Sequence, residues 1–158
     1  MTGYGKWGQS LWRFMALLLI VASANGYGFG TAPAAYADSP ARDAYSVING
    51  GSADQLNGGK IKASGTSLTS INAGDWAKYD AVDFGSSGAL DVVFSVAVPN
   101  VAEGNFIEIR TDGPDGTLIG KLRLTGTADN YSHAEQEAAA LSSTVTGVHD
   151  VYLVFVPR

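Results

Sequence analysis

The chain has no cysteine among its 158 residues. That excludes a disulfide framework, a thiolate zinc site and a cysteine nucleophile. Charge is also scarce. Asp, Glu, Lys and Arg make up 16% of the chain, with 10 basic residues against 15 acidic ones and a formal net charge of −5. No basic patch stands out, which argues against nucleic acid as a partner. At 46% apolar, the composition argues against a disordered chain. The spacings HExxH, G-x-S-x-G, the phosphate-binding glycine loop and paired zinc ligands are all missing. The length fits one domain, with no room for a catalytic domain beside a binding one.

What is present begins with an N-terminal leader. Lys6 and Arg13 give a positive start, and residues 14–22 (FMALLLIVA) form an apolar run too short to span a bilayer. Small-x-small cleavage sites follow at 22–24 and 35–37, and the second predicts a mature start at Asp38. Residues 1–37 therefore read as a signal peptide, with an uncleaved N-terminal anchor as the alternative. No later segment resembles a membrane span, so the product reads as secreted. Loss of the leader removes Lys6 and Arg13 but no acid, leaving the rest more acidic. An exported domain without disulfides fits a bacterial source. Residues 38–44 read as a short flexible lead-in, and 45–158 as the folded module.

The body of the chain has the period of strands. In residues 90–98 (LDVVFSVAV), Leu90, Val92, Phe94, Val96 and Val98 share one face, with Asp91 and Ser95 on the other. Residues 105–111 (NFIEIRT) put Ile107 and Ile109 on one side and Phe106, Glu108 and Arg110 on the other. A turn at 112–116 (DGPDG) leads into 117–124, where Leu118, Leu122 and Leu124 are in phase. Residues 148–156 (VHDVYLVFV) are apolar on both sides after Asp150, as a central strand would be. Turn signals about every ten residues predict an all-β sandwich or jelly roll rather than βαβ units. One segment conflicts. Residues 134–141 (AEQEAAAL) are strong helix formers, yet their place between two turns calls for a strand, and a strand is the expectation. As a strand, it would line up Tyr131, His133, Glu135 and Glu137 on one side, either as a metal or acid–base constellation or as a solvated face.

Three segments together carry a resemblance. Residues 72–79 (NAGDWAKY) resemble the GDW-x-x-Y strand of family 6 carbohydrate-binding modules. Residues 104–110 (GNFIEIR) and 112–120 (DGPDGTLIG) resemble that family's I-E-I-R-x-D-x-P-x-G-x-x-I-G hairpin, and residues 146–155 (TGVHDVYLVF) its T-G-x-H-D-L-Y-L-V-F strand. They occur in the family's order and at about its spacing over residues 45–156.

The resemblance implies a jelly-roll β-sandwich of the galactose-binding-like kind and non-catalytic binding of a polysaccharide such as xylan or β-glucan. It also implies a glycoside hydrolase as companion and often a structural calcium. Family members use a cleft among the loops, and some use a second site on a sheet face. The family's principal binding ring maps to Tyr131, with Asn130 and Asp129 beside it to pair sugar hydroxyls. Residues 65–71 (GTSLTSI) carry no second ring, and the asparagine expected on a strand after LYLVF is not matched before Arg158. A C-terminally truncated copy with an exposed edge is the corresponding expectation. For calcium, the matching stretch offers Asn49 and Asp54, whereas a hard cation takes six or more oxygens. Trp76 is expected to pack in the core, Asp75 to pin a loop, and His149 and Asp150, at a turn-to-strand entry, to be structural. The alternatives are a secreted structural or surface-interaction sandwich that has lost the sugar cleft, and a small glycosidase with two facing carboxylates.

Overall fold

The computed structural model describes residues 17–19, 40–99, 102–127, 131 and 133–158. Among these residues there are twelve strands: β1 (Leu17–Leu19), β2 (Arg42–Asp43), β3 (Val47–Asn49), β4 (Gln55–Asn57), β5 (Lys62–Ser64), β6 (Ser67–Thr69), β7 (Trp76–Asp83), β8 (Ala89–Val96), β9 (Phe106–Thr111), β10 (Thr117–Arg123), β11 (Glu135–Val145) and β12 (Val148–Val156). The expected all-β sandwich is what forms. One layer runs β2-β7-β12-β9-β10, with β4 also on β7, and the other runs β11-β8-β1-β3. One ladder pair, Gly120↔Leu141, joins the layers through β10 and β11, and Ser142 Oγ on β11 adds a hydrogen bond to Ile119 O on β10 at 3.2 Å. Gly120 has to be small there, because a Cβ would lie 2.9 Å from Leu141 Cδ2 and 3.2 Å from Ile109 Cδ1.

The core lies between the layers. Ala77, Tyr79, Ile107, Ile109, Leu153 and Phe155 face inward from the first layer, and Val92, Phe94 and Val96 from the second. Strand alternation explains the choice: in β12 the odd positions from Val151 to Phe155 are buried and the residues between them are half-buried. β12 lies between β7 and β9, as its two-sided apolar character predicts. Burial of the large side chains drives the collapse, at about 1.5–3 kcal/mol for each Val, Leu, Ile or Phe removed from water.

Four local expectations are corrected. Leu90 is 56% exposed, whereas Val92, Phe94 and Val96 are buried. The pairing of β8 with β11 is irregular between Ala140 and Val145, so the alternation does not extend back to Leu90. Leu118 is likewise exposed although Leu122 and Leu124 are buried, because a register shift between Leu118 and Gly120 inverts the side on which residues lie. Trp76 is not a core residue: it is half-buried on the outer side of β7, and Tyr79 takes the core position. The lead-in is ordered from Pro40, since β2 pairs in parallel with β7 and Ala44 is fully buried. Residues 134–141 fall largely within β11, as expected: pairing with β8 outweighs helix propensity. Within the expected leader, β1 pairs with β3 and β8, while both small-x-small sites lie outside the described residues.

Candidate functional site

The outer face of the first layer is built in rows across the strands. Backbone register aligns Gln55, Lys78, Tyr152, Arg110 and Leu118 in one row. The next row is Asn57, Trp76, Val154, Glu108 and Lys121. Adjacent strands lie about 4.8 Å apart, so neighbouring side chains on a row touch. Trp76 and Tyr152 meet edge to face with ring centroids 5.4 Å apart and planes at 60°. Both rings are half-buried, so each keeps a surface toward solvent. Exposed Gln55 and Asn57 border them on the β4 side.

Ion pairs surround the rings. Lys78 Nζ lies 2.6 Å from Asp80 Oδ1 and 2.7 Å from Asp150 Oδ2, and 5.9 Å from the centre of the Tyr152 ring. The hydrogen bonds to Asp150 and then to Asp80 push the Lys78 pKa above its ordinary range. Arg110 Nη2 donates to Glu108 Oε2 at 2.8 Å, and Lys121 Nζ to Oε1 at 3.1 Å. Burial pushes the Glu108 carboxyl up, but these two cations outweigh it and its pKa falls below the usual value. Lys121 also sits 4.3 Å above the Phe106 ring. The face is thus polar and its charges are paired: Lys78, Arg110 and Lys121 against Asp80, Asp150 and Glu108.

The expected turn residues hold turns. Asp75 is buried, and its Oδ2 accepts the Asn72 N–H at 2.8 Å, which fixes the entry to β7 and hence Trp76. Asp150 Oδ1 accepts the Ala81 N–H at 3.1 Å. Ala81 has φ 50, in the left-handed region, next to the irregular pairing of β7 with β12, so Asp150 pins the bulge that aims Lys78. His149 bridges two loops, with Nδ1 3.0 Å from Asp112 Oδ2 and Nε2 3.0 Å from Thr146 O.

Tyr131 lies half-buried in the turn between β10 and β11, and its companions Asn130 and Asp129 lie outside the described residues. The Tyr131-to-Glu137 constellation is dispersed into local contacts: His133 Nε2 is 3.2 Å from Glu135 Oε1, and Glu137 accepts from Thr125. Among the described residues, no three His, Asp or Glu side chains cluster to hold a metal. Of the two calcium candidates, Asn49 and Asp54, the carboxylate is already engaged by protein groups. Arg42 Nη2 already lies 2.7 Å from Asp54 Oδ2, which also accepts the Asp80 N–H at 2.7 Å. Sequence reasoning missed the Trp76–Tyr152 pair. The signal was available: in both strands the ring occupies the parity opposite to the buried residues.

A two-layer sandwich with an open, ring-bearing, charge-balanced sheet face belongs to the class of ligand-binding β-modules. The particular family follows from comparison: the profile of Carbohydrate binding module (family 6) matches residues 40–157, and the chain belongs to this family of non-catalytic binding domains. An arabinoxylan arabinofuranohydrolase of Paenibacillus polymyxa is 40% identical over 101 residues, which are 64% of this chain and 15% of that enzyme. The chain thus spans a small part of the curated relatives it matches. A module from Clostridium stercorarium solved with cellobiose superposes with a TM-score of 0.66 at 27% identity, over 75% of this chain and 89% of that one. A family 6 module from Clostridium cellulolyticum solved with xylose gives a TM-score of 0.62 at 32% identity, over 74% and 89%.

Proposed function

We propose that this module attaches to neutral plant polysaccharides with β-1,4-linked backbones, xylan or β-glucan, and does not cleave them. The contact face is the outer side of β7, β12, β9 and β10. Trp76 and Tyr152 form its floor, and Gln55, Asn57, Glu108 and Arg110 its polar border. The observation that carries this reading is the half-exposed Trp76–Tyr152 pair at 5.4 Å. A pyranose ring presents flat C–H faces and a rim of hydroxyls. Aromatic faces cover the former, and amides, carboxylates and guanidinium groups pair the latter. The mutual pairing of the charges favours a neutral glycan over an acidic one. The relatives' arabinoxylan, cellobiose and xylose supply the substrate class. Tyr131, in the turn between β10 and β11, forms a second contact, with Asn130 and Asp129 its companions in sequence. The module is exported on its N-terminal leader and works beside a glycoside hydrolase.

Retention of the full chain on arabinoxylan, mixed-linkage β-glucan and β-1,3-glucan tests the reading. Wild type is expected to be retained on the first two, and Trp76→Ala to lose most of that retention. Loss in Tyr131→Ala alone moves the primary contact to the loop end. A wild type retained on no polymer overturns the sugar reading in favour of a surface-interaction sandwich, and release of reducing sugar overturns the non-catalytic one.

A further inference from the structure

The chain has three Asn-Gly pairs, at 25–26, 49–50 and 57–58. Such a pair is chemically labile. The backbone nitrogen after the asparagine attacks the side-chain amide carbon: a C–N bond forms, the C–NH2 bond breaks and ammonia leaves. Water then opens the cyclic imide at either carbonyl. The product is aspartate, or isoaspartate with the backbone rerouted through the side chain. Glycine favours the attack, since no Cβ shields its nitrogen and its backbone turns freely. The fold decides which pair reacts, because the attack needs an accessible side chain and a backbone that can bend towards it.

Asn49–Gly50 is held. Asn49 is half-buried and extended, with φ −69 and ψ 133, and its carbonyl accepts the Ser52 hydroxyl at 2.7 Å. Gly50 is buried, and its carbonyl accepts the Tyr79 hydroxyl at 3.0 Å. The pair 25–26 lies outside the described residues. Asn57–Gly58 is different. Asn57 ends the three-residue strand β4, which pairs only with β7 among the described residues, and it is exposed, as are residues 58–60. Among the described residues, the Gly58 N–H donates to no backbone carbonyl outside the strand ladders. Yet the glycine is imposed by packing: its φ is +147, and a Cβ would collide with the Asp75 carboxylate. The carboxylate that fixes the entry to β7, and so aims Trp76, therefore also demands the residue that makes Asn57 labile. Asn57 is itself the ladder partner of Trp76.

We propose that Asn57–Gly58 is a self-modification site that alters the ring-bearing face as the protein ages. The reaction puts a carboxylate opposite Trp76 in place of an amide. A carboxylate accepts hydrogen bonds but donates none, so a hydroxyl served by the amide N–H loses its partner. Lys78, Arg110 and Lys121 are already paired with other carboxylates, which leaves the new charge no cation of its own on the face. In the isoaspartate form, the lengthened backbone also displaces the end of β4 from its register with Trp76. The effect on binding rests on the proposed glycan contact, whereas the reaction itself does not.

The full chain is stored in warm, mildly alkaline buffer, either folded or unfolded in guanidinium, and the masses of its peptides are followed. In the folded chain, Asn57 is expected to convert to aspartate and isoaspartate while Asn49 stays intact. In the unfolded chain, both are expected to convert at similar rates. Equal rates for Asn49 and Asn57 in the folded chain overturn the proposal, as does an Asn57 that stays intact while the unfolded chain converts. Fresh and stored folded protein are then compared on arabinoxylan. Stored wild type is expected to lose most of its retention, and Asn57→Gln to show the same retention before and after storage. Equal retention of fresh and stored wild type, or an equal loss in Asn57→Gln, overturns the link to the face. A fresh wild type that is not retained overturns the glycan contact instead, and the peptide masses still decide the chemistry.

Discussion

The two layers of the sandwich are closed in different ways. In the first, β7, β9, β10 and β12 are six to nine residues long, and β9–β10 is a hairpin turned at residues 112–116. In the second, β11 and β8 are long, but β1 and β3 have three residues each. The first layer gets its order mainly from contacts within residues 76–156, whereas the second depends on a strand at residues 17–19. The ring-bearing face lies on the layer that closes without the N-terminal segment. The proposed binding face and the short strands of the second layer thus lie on separate sheets, and each can be disturbed with limited effect on the other.

The largest expected effect is on the core that both layers share. Phe94→Ala removes a fully buried ring next to β1 and is expected to cost about 3–5 kcal/mol, read by denaturant unfolding. Leu153→Ala, in the first layer, should cost about 2–5 kcal/mol. If hydrogen exchange shows Phe94→Ala loosening β9 as much as β3, the layers are not separable. Gly120→Ala tests the seam: crowding against Leu141 and Ile109 should cost about 1–3 kcal/mol, seen as a lower melting temperature.

Trp76→Ala should leave that temperature nearly unchanged yet weaken binding to xylan or β-glucan. Loss of an anchoring ring at about 2 kcal/mol corresponds to roughly thirtyfold in affinity, measured by affinity electrophoresis. A smaller effect comes from pH. The Glu108 pKa is depressed in the fold, so its ion pairs contribute fully above the ordinary value of 4.5 and are lost as pH falls through the lower folded value. Glu108→Gln should flatten the acid limb of a stability-against-pH curve. The smallest effect is that of a chelator. With Asp54 held by Arg42, EDTA is expected to leave the melting temperature unchanged, and a clear drop would place a cation elsewhere in the fold.

Much of the first layer was legible in the sequence. The alternation of residues 106–110 and the two-sided apolar run after Asp150 fixed which strands were half-exposed and which was central. The turn roles of Asp75 and Asp150 followed from their motifs, and the structure supplies their N–H partners. Leu90 and Leu118 were misread because pairing irregularities next to them invert the side on which a residue lies, and an irregularity has no period of its own. The site was harder to read. Trp76 looked like core because a lone large ring usually is, and its outward position depends on the parity of Ala77 and Tyr79 within β7. Tyr131 remains half-buried, so its role rests on binding measurements.

The sequence by itself determined the strands, their turns and the family, because these depend on side-chain period and on short motifs. Tertiary structure alone decided that Trp76 and Tyr152 meet across two strands 76 positions apart in numbering, and that Leu17–Leu19 lies between Ile48 and Phe94. Register between distant strands depends on which faces are buried together. That is a property of the assembled sheets, and no local stretch of the chain contains it.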